Sequence, residues 1–464
     1  MIMNISNIVC TLVVVSSLLC CSSPKKEAVE DQGSKAPYQL MTVDPGHFHA
    51  GLIQKMALAD LDPTVYVYAP AGPDVEDHLN RVKGYNTRAD NPTNWIEEVY
   101  TGADFFEKMI QDKPGNIMLV AGNNAKKTEY IKRAVEAGIN VLADKPMVIN
   151  SQDFDMLRET FELAEKNKVM LYDIMTERHE ITIMIQRELS QIPGLFGELE
   201  KGTIDNPAIT KESVHHFFKF VSGSPLKRPA WFFDVTQQGE GVVDIMTHLV
   251  DMIQWECYPD QIIDYQKDIE VISAKRWATE LTPSMFKRVT YLDEYPDYLN
   301  KDIIKDSILN VYSNGEINYT LKGTHAKTSV IWNYEAPEGT KDTHYSIMRG
   351  TKANLIIKQG KKEDFKSTLY VEKSGDDSEE AFLAALNQAI SALQTAYAGL
   401  AFIQDRQDII IQIPDNLKVG HEAHFTQVAK KYLNYLKEGK MPDWEVPNMI
   451  AKYYTTTKGY EMSR

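Results

Sequence analysis

Residues 116–146, NIMLVAGNNAKKTEYIKRAVEAGINVLADKP, place an apolar strand, an amphipathic helix and a second apolar strand in immediate succession. The apolar runs at both ends are continuous, which is typical of strands that are covered on both faces. Gly138 follows the helical pattern at the position where helices commonly end. This order predicts two neighbouring parallel strands that are joined by a crossover helix.

The same alternation continues on both sides of this unit. Ser151 is a candidate N-cap, and residues 86–94 are polar and irregular. Further strands are predicted at YQLMTV, TVYVYA and VMLYDIM, and further helices at HAGLIQKMALAD, FFEKMIQ and SQDFDMLRETFELAEKNK. We therefore expect residues 38–175 to form an α/β domain with a doubly wound parallel sheet, whose ligand crevice lies at the carboxyl ends of the strands.

Beyond residue 175 the apolar residues alternate along short segments that are separated by Gly or Asn turns. Strands are predicted at GELEKGTI, SVHHFFKFV, SILNVYS, EINYTLKG, TSVIWNYEA, THYSIMRG, ANLIIKQG and TLYVEK. Helices are predicted at residues 241–256, 380–404, 421–439 and 446–459. Residues 176–464 are thus expected to form an α+β domain with a large, mostly antiparallel sheet and closing C-terminal helices.

Composition excludes several classes of protein. The chain has 464 residues, 65 acidic and 50 basic side chains, a net charge of −15 and 43% hydrophobic residues. This apolar fraction is ordinary for a globular protein with two or three domains. The acidic balance, with no long basic run, argues against nucleic acid as a partner. A small polar substrate is compatible with all of these values.

The first twenty residues carry no charged side chain and include the apolar run IVCTLVVVSSLLC. The run is short and a polar segment follows it, so it is interpreted as a removed export signal. The LLCC junction resembles a bacterial lipoprotein signal, with cleavage before Cys21 and lipid on its sulfur; a signal cut without lipidation is the alternative. Residues 21–37 would form a flexible tether, with the membrane contacted only through the lipid. The expected location is the periplasm or the outer membrane.

If the signal is removed, Cys21 and Cys257 are the cysteines that remain, and the first would be acylated. No intramolecular disulfide is then possible. The fold must therefore rely on its hydrophobic core, which a chain of this length can supply.

The turn after the first predicted strand reads VDPGHFHAGL. A dinucleotide crevice needs glycine at such a turn, because the backbone must approach a pyrophosphate. Only Gly46 occupies a glycine position of the G-x-G-x-x-G spacing, whereas Asp44 and His49 occupy the first and third positions. The second strand ends in APAG, without the acidic residue that would bind a ribose. Nucleotide binding and a purely structural turn both remain open at this point.

Two polar groups in the sequence could carry chemistry. Lys145 precedes a proline at the carboxyl end of a predicted parallel strand, where its amine would face the crevice and exchange a proton with a substrate hydroxyl. Asp244 and His248 lie four residues apart on one face of an apolar helix. They are either a surface pair or a buried pair that requires a polar partner such as a sugar.

These segments resemble the Gfo/Idh/MocA family of NAD(P)-dependent sugar oxidoreductases. AGNN, the following helix and NVLADKP are similar to the family's TPN-helix-EKP segment, with Asp144-Lys145-Pro146 in place of Glu-Lys-Pro. RPAWFFDVTQQGEGVVDIMTHLVDMIQWE is similar to its GGG-x-x-x-D-x-G-x-H-x-x-D segment. TERHE, IMRGTKANLII and the closing helices extend the likeness. The chain looks closest to an exported, Bacteroidetes-type lipoprotein branch with the DPGHFHA turn and a distinct oxidoreductase C-terminal domain.

The resemblance implies a Rossmann-like first domain and a set of roles for individual residues. The implied catalytic residues are Lys145, His248 and Asp244. The implied cofactor-binding residues are Gly46, His47, Phe48, His49, Asn123, Asn124, Asp144, Lys145 and Pro146. The implied substrate-binding residues are Arg178, Trp231, Asp244 and His248. A homo-oligomer that forms through the C-terminal sheet is also expected.

The implied reaction is hydride transfer between a secondary hydroxyl of a sugar or glycoside and a tightly bound NAD or NADP, with NAD favoured. One alternative is NAD-dependent glycoside cleavage by oxidation and elimination. Another is a carbohydrate-binding lipoprotein whose nucleotide site has decayed. No metal site is predicted, because the histidine pairs at 47 and 49, 215 and 216, and 421 and 424 lack the usual ligand spacings.

Overall fold

The computed structural model describes residues 36–221, 224–338 and 340–464. The predicted signal peptide, the lipidation site Cys21 and the tether up to residue 35 lie outside the described residues. None of the helices in the described ranges combines the length and the apolar composition that a membrane crossing requires.

The first half of the described chain forms a six-stranded parallel sheet flanked by helices, as predicted. The strands are β1 Leu40–Val43, β2 Thr64–Ala69, β3 Ile96–Thr101, β4 Ile117–Val120, β5 Asn140–Asp144 and β6 Leu171–Ile174. The helices are α1 His49–Ile53, α2 Pro73–Thr87, α3 Phe105–Asp112, α4 Lys127–Glu136 and α5 Phe154–Asn167. The strand order β3-β2-β1-β4-β5-β6 reverses direction between β1 and β4, which is where doubly wound sheets bind ligands.

Some local predictions for this half were wrong. Strand β3 was not predicted, because it is an exposed edge strand with the polar sequence IEEVYT. Helix α2 was not predicted either, since it begins in the turn-forming run APAGPD, with a proline in its first turn. Helix α1 ends at Ile53 instead of continuing to residue 60. The N-cap of α5 is Asp153 and not Ser151.

The second half forms a ten-stranded, mostly antiparallel sheet, which confirms the predicted α+β domain. Its strands are β7 Ile209–Phe218, β10 Ile269–Leu281, β11 Ile303–Ile304, β12 Ile308–Leu321, β13 Thr324–Glu335, β14 Thr343–Arg349, β15 Ala353–Gln359, β16 Thr368–Lys373, β17 Ala401–Asp405 and β18 Asp408–Gln412; the short strands β8 Phe220–Val221 and β9 Ser224–Pro225 pair separately. Neighbours follow the order β10-β12-β13-β7-β14-β15-β16-β18-β17, with β11 beside β12. Only the β13–β7 pair among these described strands is parallel.

The helices of this half are α6 Ile181–Ser190, α7 Val235–Gln238, α8 Met246–Cys257, α9 Pro283–Thr290, α10 Glu379–Leu393, α11 His421–Glu438 and α12 Glu445–Met462. Helix α6 and strand β10 were not predicted. GELEKGTI makes only isolated bridges at Leu199 and Gly202 instead of a strand. The helix predicted for residues 380–404 ends at Leu393, and β17 follows a turn in which Gly399 has a φ of +85°.

The closing helices α11 and α12 pack on the first sheet, although their sequence belongs to the second half. Phe425 and Tyr432 of α11 and Met449 and Tyr453 of α12 are buried in the same core as strands β1 to β6. Ala451, also on α12, belongs to the core of the second sheet. The two sheets are therefore connected by apolar packing as well as by the chain.

A buried ion cluster connects the same elements. The guanidinium of Arg178 donates two hydrogen bonds of 2.7 Å to Asp251 on α8 and one of 3.0 Å to Glu445 on α12. The amine of Lys452 on α12 lies 2.8 Å from Asp251 and 2.7 Å from Asp173 on β6. All five side chains are at least 95% buried. Each charge is thus compensated by a partner, which burial of an ion requires.

We expect Lys452→Met to destabilise the protein strongly, because it leaves the carboxylates of Asp173 and Asp251 buried with fewer partners. Removal of one member of a buried ion pair costs about 3–5 kcal/mol, which corresponds to a fall of about 4 °C in Tm for a fold of this length, because the unfolding entropy is about 2.1 cal/mol/K per residue. The matched control is Lys458→Met on the same helix, whose amine makes a surface pair with Glu461. The control should change Tm by about 1 °C or less. Equal Tm values for the two variants in thermal unfolding would contradict the role of the cluster.

Candidate active site

A cavity of about 390 Å³ opens at the carboxyl ends of β1 and β2. This volume is within the range of small-molecule sites. The lining residues are 44–48, 69–75, 77, 78 and 81 from the first half, and 226–232, 290, 292 and 298 from the second. The cavity therefore lies between the parallel sheet and the loop before α7, in the crevice that the sequence predicted.

The turn at the base of this cavity depends on two glycines. A Cβ atom on Gly122 would lie 2.0 Å from the carbonyl oxygen of Asp44, so only glycine allows β1 and β4 to approach so closely at their ends. A Cβ atom on Gly46 would lie 2.9 Å from Asp74 and 3.1 Å from Trp231. The indole of Trp231 donates a 2.8 Å hydrogen bond to Asp74, which links the two walls of the crevice. Trp231, predicted to bind substrate, thus lines the cavity.

Lys145 and Asp244, predicted as catalytic residues, form a buried ion pair. The amine of Lys145 at the end of β5 lies 2.6 Å from Oδ1 of Asp244, and both side chains are 7% exposed. The other oxygen of Asp244 accepts a 3.0 Å hydrogen bond from Gln238. Asp244 precedes α8 in a turn where Gly239 has a φ of +97°, and a Cβ atom on Gly241 would lie 1.9 Å from a backbone oxygen of β12. These glycines allow the turn to bring Asp244 to Lys145.

His248 lies one turn along α8 from Asp244. Its Nδ1 atom is buried and has no hydrogen-bond partner among the described residues. Burial, together with the nearby charge of Lys145, holds the pKa of His248 well below its usual value, so the ring is neutral. A neutral imidazole with a free buried nitrogen can accept or donate one hydrogen bond to a substrate.

His47, His49 and Asp144, predicted to bind the cofactor, form a second cluster beside Lys145. Nδ1 of His49 lies 3.1 Å from both carboxylate oxygens of Asp144. The buried amine of Lys127 donates a 3.0 Å hydrogen bond to the backbone oxygen of the same aspartate. Burial raises the pKa of Asp144, but the neighbouring His49, Lys127 and His47 outweigh that effect and lower it. Asp144 is therefore a carboxylate at neutral pH.

Three of the predicted residues contact protein groups instead of the cavity. The side-chain amides of Asn123 and Asn124 donate to Gln237 and Gln238 at 2.6 and 2.7 Å, which fastens the loop before α8 to the end of β4. Arg178 has its guanidinium bound to carboxylates in the ion cluster. These donor groups link the two halves of the chain, whereas Oδ1 of Asn124 is buried without a partner among the described residues. The predicted ligand-binding roles of the three residues stay predictions. Phe48 lines the cavity, and Pro146 is buried behind Lys145.

Sequence reasoning missed Lys127 and Gln238, which hold Asp144 and Asp244 respectively. Lys127 is fully buried, and burial lowers its pKa to about 8. The sequence feature that could have indicated Lys127 is its place at the start of the crossover helix, in the loop region that follows β4, where the second lysine of AKK is buried. Gln238 carried no signal, because glutamine in a polar loop has no diagnostic spacing.

Two family models together match most of the described chain. Residues 78–173 match the family model described as "Oxidoreductase family, NAD-binding Rossmann fold", and residues 185–464 match the one described as "Putative oxidoreductase C terminal domain". No curated protein matches the chain.

Solved structures give a similar result. A crystal structure described as a "putative oxidoreductase" from Parabacteroides merdae is 55% identical, with a TM-score of 0.91 over 92% of this chain and 98% of that chain. A levoglucosan dehydrogenase in complex with NADH is 11% identical, with a TM-score of 0.59 over 92% and 96% of the two chains. A 3-ketoreductase from Actinomadura kijaniata with NADP is 12% identical, with a TM-score of 0.55 over 92% and 98%. At such identities the last two show the shared fold.

The crevice also contains a carboxyl group whose ionised form is disfavoured, that of Asp44. Burial, reinforced by the charge of Asp74, raises the pKa of Asp44 to about 6, compared with 3.8 when it is unperturbed. An acid with a raised pKa binds its proton more tightly in the folded state, so folding is favoured at low pH. Ionisation of Asp44 therefore lowers the free energy of unfolding as the pH rises from about 4 to 6. This loss of stability persists at higher pH.

We expect Asp44→Asn to be more stable than the wild type at pH 7.5, with a difference of up to about 3 kcal/mol, and to match it near pH 4. Asparagine tolerates the positive φ of 45° at this position. Thermal unfolding at both pH values measures the difference in Tm, with the exposed Asp90→Asn as control. A difference that does not grow between pH 4 and 7.5 would refute the assignment.

Proposed function

The chain belongs to the Gfo/Idh/MocA oxidoreductases that carry this C-terminal domain, and we propose that it transfers a hydride between a secondary hydroxyl of a sugar or glycoside and a bound nicotinamide cofactor. The observation that carries the proposal is the amine of Lys145 at the carboxyl end of β5, which is bound to Asp244 and whose charge acts on His248, a residue with an unpartnered Nδ1 atom. The levoglucosan dehydrogenase and the 3-ketoreductase with related folds support a sugar-like substrate class.

The residues of the crevice fit a nicotinamide dinucleotide. The cavity follows the ends of β1 and β2, and Gly46 of the first turn lines it, packed closely against the side chains of Asp74 and Trp231. The side chains of Arg81 and Lys227 line it and would offset the charge of a pyrophosphate. Asp44 and Asp74 oppose an anion there, so these two cations are needed. Ala69 at the end of β2 leaves the ribose without a carboxylate partner, and we favour NAD because no basic side chain replaces that partner in YAPAGPD.

When bound, the cofactor accepts a hydride from the carbinol carbon or returns it to a carbonyl carbon. Lys145 would take up the hydroxyl proton during oxidation as a neutral amine, after its ammonium has released a proton to solvent, and the ammonium would give the proton back during reduction. The 2.6 Å contact to Asp244 orients the group. His248 binds the same oxygen or a neighbouring hydroxyl through its free ring nitrogen. Trp231 offers an apolar surface to the ligand at the cavity wall. We propose that the reacting hydroxyl binds between the end of β5, which carries Lys145, and helix α8, which carries His248.

Lys145→Met should abolish hydride transfer and spare cofactor binding. Loss of a positioned acid–base group lowers turnover by about 10²- to 10⁴-fold, while the pyrophosphate contacts are untouched. The measurement is the change in reduced-nicotinamide absorbance with a panel of sugars and glycosides, together with NADH binding by fluorescence. The matched control is Lys132→Met on the surface of α4, where the lysine faces Glu136. Turnover of the Lys145 variant equal to that of the control would refute the assignment.

If the protein is exported, it must function where little free cofactor is available. We propose that the protein is exported, anchored through Cys21 and facing the periplasm or the outside of the outer membrane, where free dinucleotide is scarce. Tight retention of the cofactor would follow, with reoxidation by a second substrate at the same site.

Mass spectrometry of the purified, denatured protein should therefore release close to one equivalent of NAD or NADP per chain. The same experiment identifies which dinucleotide is held. Sugar binding without any bound or bindable dinucleotide would instead support a carbohydrate-binding protein with a decayed nucleotide site. If a glycoside substrate yields free sugar and aglycone with no net reduction of NAD, oxidation and elimination replace simple dehydrogenation.

A further inference from the structure

We propose that His47, His49 and Asp144 bind a divalent transition-metal ion, of which zinc is the probe, at the inner wall of the crevice. One potential ligand atom from each of the three residues lies within 4.8 Å of the others. Two imidazoles and one carboxylate form a ligand set that zinc and other first-row metals prefer, with further coordination positions open. The site is separate from the proposed proton exchange at Lys145 and does not rest on it.

The distances are close to those of a metal site. With metal–ligand bonds of about 2.1 Å, neighbouring ligand atoms lie about 3.0–3.4 Å apart in octahedral or tetrahedral geometry. Nδ1 of His49 lies 3.1 Å from both oxygens of Asp144, and Nδ1 of His47 lies 4.0 Å from one of them. A small rotation of the His47 ring, which is 21% exposed at the cavity, completes the set.

The three residues come from the ends of two strands of the parallel sheet, β1 and β5. His47 and His49 are separated by one residue in the turn after β1, and Asp144 is the last residue of β5. The backbone amide of His49 donates a long 3.3 Å hydrogen bond to Nδ1 of His47, so that nitrogen carries a lone pair, and a metal ion would take the place of this weak bond. Lys127 holds the backbone of Asp144.

The open coordination positions would face the cavity, because His47 lines it. The ligand taken up there would be water or an oxygen of a polar substrate, since a hard or borderline cation prefers oxygen in its free positions. The sequence predicted no metal because the spacing of two histidines alone resembles no known motif. The third ligand is 95 residues away and joins them only when β1 and β5 align.

Zinc binding can be measured without any assay of activity. The full-length protein is stripped with EDTA, given one equivalent of zinc sulfate, passed over a desalting column and measured for metal by plasma mass spectrometry. We expect about one zinc per chain to be retained. His49→Ala and Asp144→Asn should lower zinc affinity in titration calorimetry by at least about 100-fold. Cobalt substitution should give the intense visible absorption of a site with low coordination number.

Two variants keep the test decisive. His47→Ala changes a partly exposed side chain, so it should fold even if the buried variants do not, and it should lose zinc. His421→Ala is the control, because its ring lies near His49 at a centroid distance of 6.5 Å but outside the proposed set. The proposal is overturned if the wild type retains no zinc, if His47→Ala retains as much as the wild type, or if His421→Ala loses it equally. Absence of dinucleotide or of hydride transfer would refute the proposed function while leaving this result intact.

Discussion

The carboxylate of Asp251 is the group on which the geometry of the crevice depends. It compensates two buried cations, Arg178 and Lys452, which come from different parts of the chain. The position and orientation of helix α8 relative to β6 and α12 are therefore fixed. Any other position would separate buried charges from their partners. The same helix carries His248 three residues before Asp251. The position of His248 in the core therefore depends on the same carboxylate.

The end of β5 faces this helix from the opposite side. Lys145 forms a buried ion pair with Asp244, and this contact joins the two halves of the chain. Gln238 and the amides of Asn123 and Asn124 add neutral hydrogen bonds along the same seam. Because the amide nitrogens of these side chains are buried or partly buried and each donates to a partner, the loop before α8 is tied to the strand ends. A ligand that enters the cavity meets a site that is already assembled.

Periodicity predicted the elements that are buried on both faces and failed where the local pattern was polar. Strands β1, β4, β5 and β6 are continuous apolar runs, so the sequence indicated them directly. Strand β3 is an exposed edge, and helix α2 begins in a run of turn-forming residues, so neither had the apolar signal. For the site, strand ends and helix spacing pointed to Lys145, Asp244 and His248. The engagement of Arg178 by Asp251 and Glu445 depends on side chains more than 70 residues apart, which no local pattern encodes.

The turn DPGHFHA changes the chemistry of a position that glycines usually occupy in dinucleotide-binding folds. Only Gly46 remains at a glycine position of that pattern, where it packs against Asp74 and Trp231, and Gly122 provides the close approach to Asp44 from the neighbouring strand. The residues that replace the other glycines bring titratable groups to the floor of the crevice. Asp44 adds a carboxyl whose ionisation is disfavoured, and the two histidines place nitrogen atoms beside the strand that carries Lys145. Departure from the glycine pattern therefore adds potential ligand atoms and charge at the inner end of the cavity, where the glycines of the usual pattern would offer only backbone groups.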